Sequence, residues 1–159
     1  MQYFSGNLER KFRKLPSANL IRIVLLMTAA EQLGRRILVV DDNQHVTHSL
    51  LRLLRSEGFD PLIFQAGQPA LDYIRDHRPE AALIDIHLPD LSGLEISRQL
   101  RKTHGDDLPI VIFSGDTSID TLRSLPDAGA TLFLSKPINA TRLLEYLRKP
   151  TAGQSTPRT

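Results

Sequence analysis

Polar side chains stand at the ends of several short apolar runs in this sequence, and their types are those that phosphoryl transfer to a carboxylate requires. Two carboxylates, Asp41 and Asp42, follow the first run, and Asp85 follows another. A hydroxyl, Ser114, and an ammonium, Lys136, stand at the ends of two further runs. Ligands bind outside the carboxyl ends of parallel strands, so these side chains converge if the runs share one sheet. The sequence therefore predicts a single acidic pocket.

From residue 35 onward, short apolar runs alternate with segments of helical period. This alternation is typical of repeated βα units with right-handed crossovers, and it predicts an α/β fold with a doubly wound, five-stranded parallel sheet. The predicted strands are 36–40, 61–64, 81–84, 109–113 and 131–135, the short second one at an edge. The predicted helices are about 44–57, 67–77, 92–103, 117–127 and 139–148.

The composition fits one globular domain, since the chain has 159 residues of which 41% are hydrophobic. It has no cysteine, which excludes disulfides and thiolate metal sites. Residues 1–36 hold seven Lys or Arg against two acidic residues, so the net charge of +2 arises there and the remainder is mildly acidic. A nucleic-acid-binding surface on the domain is therefore not supported.

Residues 1–34 form a basic leader whose apolar stretch, 20–27, is too short to span a bilayer. The leader could be a signal peptide, an amphipathic helix that contacts a membrane or a partner, or an untranslated segment if the native start is Met27. Residues 150–159, rich in Pro, Thr, Ser and Gly, are predicted to be a disordered tail. Because no segment large enough for an output domain follows, a stand-alone domain is expected.

The ordered set of motifs resembles the receiver domain of two-component response regulators over roughly residues 35–149. Each motif is weak alone, but their order and their spacing are together specific. The resemblance implies a flavodoxin-like (βα)5 fold with strand order 2-1-3-4-5. The motifs are Val-Val-Asp-Asp at 39–42, Asp-Ile-His-Leu-Pro at 85–89 followed by Gly93, Ser114-Gly115, and Lys136-Pro137.

Asp85 is the candidate phosphoacceptor, since a carboxylate can accept a phosphoryl group and form a mixed anhydride. Lys136 supplies a point charge suited to a phosphoryl oxygen, and Ser114 would hydrogen-bond the same group. The resemblance further implies that the Lys136–Pro137 bond is often cis. Phe133 matches the switch aromatic of the family, which turns inward when Ser114 moves.

Three carboxylates in one pocket repel strongly, by roughly 4 kcal/mol for two charges about 4 Å apart at an effective dielectric constant of about 20. The cluster therefore invites a divalent cation, and oxygen ligands suit Mg²⁺, with Mn²⁺ as a substitute. The resemblance implies that Asp42, Asp85 and the backbone carbonyl of His87 are direct ligands, while Asp41 acts through water. We also hypothesise that the His87 side chain tunes the lifetime of the phosphorylated state.

The resemblance implies a cytoplasmic, Mg²⁺-dependent signalling switch that catalyses only its own phosphorylation and dephosphorylation. The donor would be a sensor histidine kinase or a histidine phosphotransfer protein, and the output a downstream protein target, with no direct DNA binding. Whether the chain is a phosphorelay intermediate or an effector stays open.

Two other functions compete with this one. A phosphatase of the haloacid dehalogenase type would need a second Asp two residues after the nucleophile, where this chain has His87. A phosphorylation-independent interaction module remains the alternative.

Overall fold

The structure is a computed structural model, and it describes residues 34–149. The predictions for the leader, for a native start at Met27 and for the tail lie outside the described residues. Within residues 34–149, no helix combines the length and the apolar character needed to cross a membrane.

Five parallel strands form one sheet in the order β2-β1-β3-β4-β5, as predicted. Residues 37–40 of β1 are fully buried, which explains why this strand reads as a continuous apolar run. β2 lies at an edge of the sheet, also as predicted. The strands are β1 (Arg36–Val40), β2 (Asp60–Phe64), β3 (Ala81–Asp85), β4 (Ile110–Ser114) and β5 (Leu132–Ser135).

Five helices follow the strands, and four of them begin at a polar side chain whose oxygen accepts a first-turn N–H group. These caps are Asn43, Ser92, Ser118 and Asn139. They pair N–H groups that have no partner within the helix. The second helix is the exception, since Ala66 at its N-cap position offers no side-chain hydrogen bond. The helices are α1 (Gln44–Ser56), α2 (Gly67–Asp76), α3 (Gly93–His104), α4 (Ile119–Ser124) and α5 (Ala140–Leu147).

Helices cover both faces of the sheet. On one face, apolar side chains of α1 and α5 pack with Ile37 and Val39 of β1. On the other face, those of α2 and α3 pack with Leu38 and Val40. Successive residues of a strand point to opposite faces, so one strand serves both layers. The carboxyl ends of the strands are left for a site.

The predicted boundaries differ from the structure mainly at α4, which was expected at 117–127 and covers Ile119–Ser124. Pro126 has no N–H group to continue the helix, and Gly129 takes a φ of +71°, a left-handed value that redirects the chain. The other boundaries coincide with the predicted ones or shift by one residue. Two of these shifts make Asp85 and Ser114 the last residues of β3 and β4.

Candidate functional site

Three carboxylates meet at the carboxyl ends of β1 and β3. One oxygen each of Asp41, Asp42 and Asp85 lies within 4.8 Å of the other two. Asp41 and Asp85 are buried, whereas Asp42 is exposed. They come together because β1 and β3 are neighbours, with Val40 opposite Ile84, so that the residues that follow lie side by side.

Lys136 reaches the carboxylates from the end of β5. Its Nζ donates a hydrogen bond to Asp85 Oδ2 at 2.7 Å and forms an ion pair with Asp41 Oδ2 at 2.9 Å. Its backbone N–H donates to the carbonyl oxygen of Ser114 at 2.8 Å, and the Lys136–Pro137 peptide bond is cis. One ammonium thus faces three carboxylates, and the pocket keeps an excess of negative charge.

For both Asp41 and Lys136, burial and ion pairing shift the pKa in opposite directions. Burial raises the pKa of Asp41, although the Lys136 ammonium and the N–H of Asn43, 2.7 Å from Asp41 Oδ1, oppose the rise. Burial alone would lower the pKa of Lys136, but its contacts with Asp85 and Asp41 prevail and the pKa is raised. Lys136 is therefore charged at neutral pH, while the charge on Asp41 is disfavoured unless more positive charge is present.

The pocket also holds a buried carboxylate oxygen, Asp85 Oδ1, that has no hydrogen-bond partner among the described residues. A buried polar atom without a partner is unfavourable unless another group satisfies it. Clustered carboxylate oxygens are the ligands that Mg²⁺ prefers. The three carboxylates and the excess negative charge of the pocket therefore fit a Mg²⁺ ion.

The other candidate residues lie around the carboxylates. Ser114 is fully buried at the end of β4, and its Oγ accepts a hydrogen bond from the N–H of Asp116 at 3.0 Å. Within residues 34–149, Ser114 forms no hydrogen bond to the three carboxylates. Phe133 of β5 is half-buried and packs against the core on the α2 and α3 face. His87 is exposed and forms an isolated antiparallel bridge with Ser92.

Sequence reasoning missed two acidic residues that order the loops around the pocket. Asp116 accepts the N–H of Ser118 at 2.8 Å and the hydroxyl of Thr121 at 2.7 Å, which fixes the loop between β4 and α4. An Asp two residues before a helix-capping Ser is a local signal for such a turn. Asp90 instead accepts the N–H of Gly67, 23 residues earlier, and no local pattern indicates so distant a partner.

An apolar groove of about 520 Å³ adjoins the pocket, between α1 and the segment that follows β5. Lys136 lines the groove and also pairs with the carboxylates, so the groove borders the pocket. The apolar lining residues are Val46, Leu50, Leu53, Pro137, Ile138 and Ala140.

The sequence matches a known family of protein domains. Residues 37–148 match the family described as Response regulator receiver domain. The response regulator MprA of Mycobacterium sp. (strain KMS) is 44% identical over 113 residues, which cover 71% of this chain and 49% of MprA. The chain thus spans about half the length of the curated relatives it matches.

Solved structures show the same similarity. A CheY-like response regulator receiver domain protein from Methanospirillum hungatei JF-1 is 30% identical with a TM-score of 0.68, covering 72% of this chain and 91% of that one. The receiver domain of a sensor histidine kinase from Pseudomonas aeruginosa PAO1 is 28% identical with a TM-score of 0.66, covering 72% and 95%. The latter holds a magnesium ion in its active site cleft.

Proposed function

Because the chain belongs to the response regulator receiver domain family, we propose that it accepts a phosphoryl group on Asp85 and thereby switches the binding of a downstream protein target. The receiver domain would span residues 35–149. The donor would be a cytoplasmic sensor histidine kinase or a histidine phosphotransfer protein. One observation carries the proposal: Asp85 is buried at the end of β3, with Oδ2 held by Lys136 and Oδ1 without a partner among the described residues.

Transfer to Asp85 is a displacement at phosphorus. A carboxylate oxygen of Asp85 forms a bond to the phosphorus of the donor phosphohistidine, and the bond from phosphorus to the imidazole nitrogen breaks. The electron pair of the broken bond stays on that nitrogen, and the product is an acyl phosphate. Lys136, 2.7 Å from Asp85 Oδ2, orients the carboxylate before transfer and pairs with a phosphoryl oxygen afterwards.

The acidic residues would also hold the metal. Asp42, Asp85 and the backbone carbonyl of His87 would be direct ligands, and Asp41 would act through water. A bound Mg²⁺ ion neutralises charge on the transferring group. Mn²⁺, which accepts the same oxygen ligands, should substitute. The excess negative charge of the pocket supports this assignment.

Adding Mg²⁺ is expected to raise the free energy of unfolding, because the ion binds the folded cluster. The gain is about 2.7 kcal/mol when free Mg²⁺ is about a hundred times its Kd. Asp42→Asn changes an exposed side chain, so it should spare metal-free stability and remove most of the Mg²⁺ gain. Urea unfolding with Mg²⁺ and with EDTA measures both quantities. A full gain in Asp42→Asn would contradict the assignment of Asp42 as a ligand.

Ser114 and Phe133 would transmit the switch. The Ser114 Oγ accepts the N–H of Asp116, and its own proton is available to donate to a phosphoryl oxygen. Movement of Ser114 towards that oxygen would open space for Phe133, which works by ring packing because it has no hydroxyl. Phosphorylation would thereby bias an equilibrium between two packings. The exposed His87 would tune how long the phosphorylated state lasts.

The apolar groove would seat the phosphohistidine donor, since a protein bound there lies beside Lys136 and Asp85. Leu53→Glu, which places a charge in the groove about three helical turns from Asn43, should lower kcat/KM for the protein donor about tenfold, or ~1.4 kcal/mol. The rate with acetyl phosphate, which needs no docking surface, should not change.

Arg52→Glu is the matched control for this experiment, because Arg52 is exposed on the same helix and is not among the groove residues. It should leave both rates unchanged. Equal losses with the protein donor and with acetyl phosphate in Leu53→Glu would contradict the docking role of the groove.

A further inference from the structure

The loop that follows Asp85 is anchored at its base. The N–H of Gly93 donates to the carbonyl oxygen of Ile86 at 2.9 Å, and His87 forms an antiparallel bridge with Ser92. Residues 86–92 therefore make a closed turn. This turn carries the His87 carbonyl, which is a proposed ligand of Mg²⁺.

The tip of the same loop is anchored on α2 by Asp90. Asp90 Oδ1 accepts the N–H of Gly67 at 2.8 Å and that of Leu91 at 2.9 Å, and Oδ2 accepts the N–H of Gln68 at 2.7 Å. Gly67 and Gln68 open α2, where N–H groups lack partners within the helix. Since Ala66 offers no cap, α2 takes its capping carboxylate from the loop. The N–H groups of Gln68 and Gly67 hold the pKa of Asp90 below its usual value, so it is charged at neutral pH.

Close packing joins the loop to the first turn of α2. A Cβ atom at Gly67 would lie 2.9 Å from Leu91 Cβ and 2.8 Å from Ile96 Cδ1, so no side chain fits between them. α2 is itself fixed to the sheet by Ala70 and Ile74, which are buried in the core. The tip of the loop is thus bound to a rigid element.

We propose, building on the proposed function, that Asp90 is a positioning residue for the metal centre, because its bonds to α2 hold the loop and keep the His87 carbonyl in place for Mg²⁺. The ion requires near-octahedral geometry at about 2.1 Å, so a small displacement of one ligand weakens binding. Loss of a group that orients a metal ligand lowers metal affinity by about tenfold or more.

Mg²⁺ titration of the full chain, followed by ¹H–¹⁵N NMR, tests the proposal without any phosphoryl transfer. The Kd for Mg²⁺ should rise about tenfold in Asp90→Ala relative to the wild type. Asp106→Ala is the control, because Asp106 is exposed and forms no hydrogen bond or ion pair within residues 34–149, and its Kd should not change. An unchanged Kd in Asp90→Ala would overturn the proposal.

A second variant separates positioning from helix stability. Ala66→Asp in the Asp90→Ala background gives α2 a local cap for the Gln68 N–H, and Pro69 has no N–H to compete. The urea midpoint should return towards the wild-type value while the Kd for Mg²⁺ stays raised. Recovery of both would overturn the proposal, because Asp90 would then only stabilise α2. Absence of Mg²⁺ binding in the wild type would overturn the proposed function as well, whereas an unchanged Kd in Asp90→Ala overturns this proposal alone.

Discussion

Replacing Asp85 by asparagine is expected to abolish the Mg²⁺-dependent phosphoryl adduct that the wild-type chain forms with acetyl phosphate. An amide has no anionic oxygen to attack phosphorus and cannot form an acyl phosphate. The amide has nearly the shape of the carboxylate, and losing one charge reduces repulsion with Asp41 and Asp42, so the fold should be kept. Intact-mass spectrometry measures the adduct, and circular dichroism checks the fold.

Asp106→Asn is the matched control for Asp85→Asn, because it makes the same chemical change at an exposed carboxylate outside the carboxylate cluster. Its adduct yield should equal that of the wild type. An undiminished yield in folded Asp85→Asn would mean that another residue accepts the phosphoryl group.

Replacing Gly93 by alanine is expected to lower the free energy of unfolding by about 3 kcal/mol or more. The added Cβ would lie 2.0 Å from the carbonyl oxygen of Asp85 and 2.9 Å from Ile84 Cγ2. The first of these atoms belongs to the backbone of a buried strand, so it cannot move aside as a flexible side chain would. Relief requires a shift of α3 or of Asp85 itself, and the variant should also lose Mg²⁺ affinity. Urea unfolding measures the stability.

Gly115→Ala provides the comparison for this prediction, since a Cβ there has no atom within 4 Å and the backbone of Gly115 is not in the left-handed region. Its free energy of unfolding should change by less than about 1 kcal/mol. Equal stability of the two variants would show that the close approach of Gly93 to Asp85 is not a constraint on this fold.

The sequence was informative about the sheet because each buried strand is a short apolar run and each run ends at a polar residue. Asp41 directly follows Val40, and Asp85 directly follows Ile84. The pattern therefore indicated both the strands and the end of the sheet at which these side chains meet. Parallel pairing then brings residues that are distant in the chain together, as with Lys136 and Asp85, 2.7 Å apart.

Features that depend on contacts between distant loops could not be predicted from the sequence in this way. In the sequence, Asp90 has the pattern of an ordinary turn residue. Its capping of the first N–H groups of α2 follows only from the folded position of the loop. The end of α4 differs from these features because its signals are local: the predicted helix 117–127 exceeds Ile119–Ser124 at both ends, although Pro126 and Gly129 follow the helix closely in the sequence. Gly93 was noted as part of a motif, but its 2.0 Å approach to Asp85 is a property of tertiary packing.

If Asp85 accepts the phosphoryl group with the help of a metal, the group can be located at Asp85 on the wild-type chain. After incubation with acetyl phosphate, with Mg²⁺ or with EDTA, borohydride would reduce the acyl phosphate and peptide mass spectrometry would identify the reduced residue. A single modified position at Asp85, present with Mg²⁺ and lost with EDTA, is the expected result. Modification at Asp41 or Asp42 instead, or none at all in a chain that binds Mg²⁺, would show that Asp85 is not the metal-assisted phosphoacceptor.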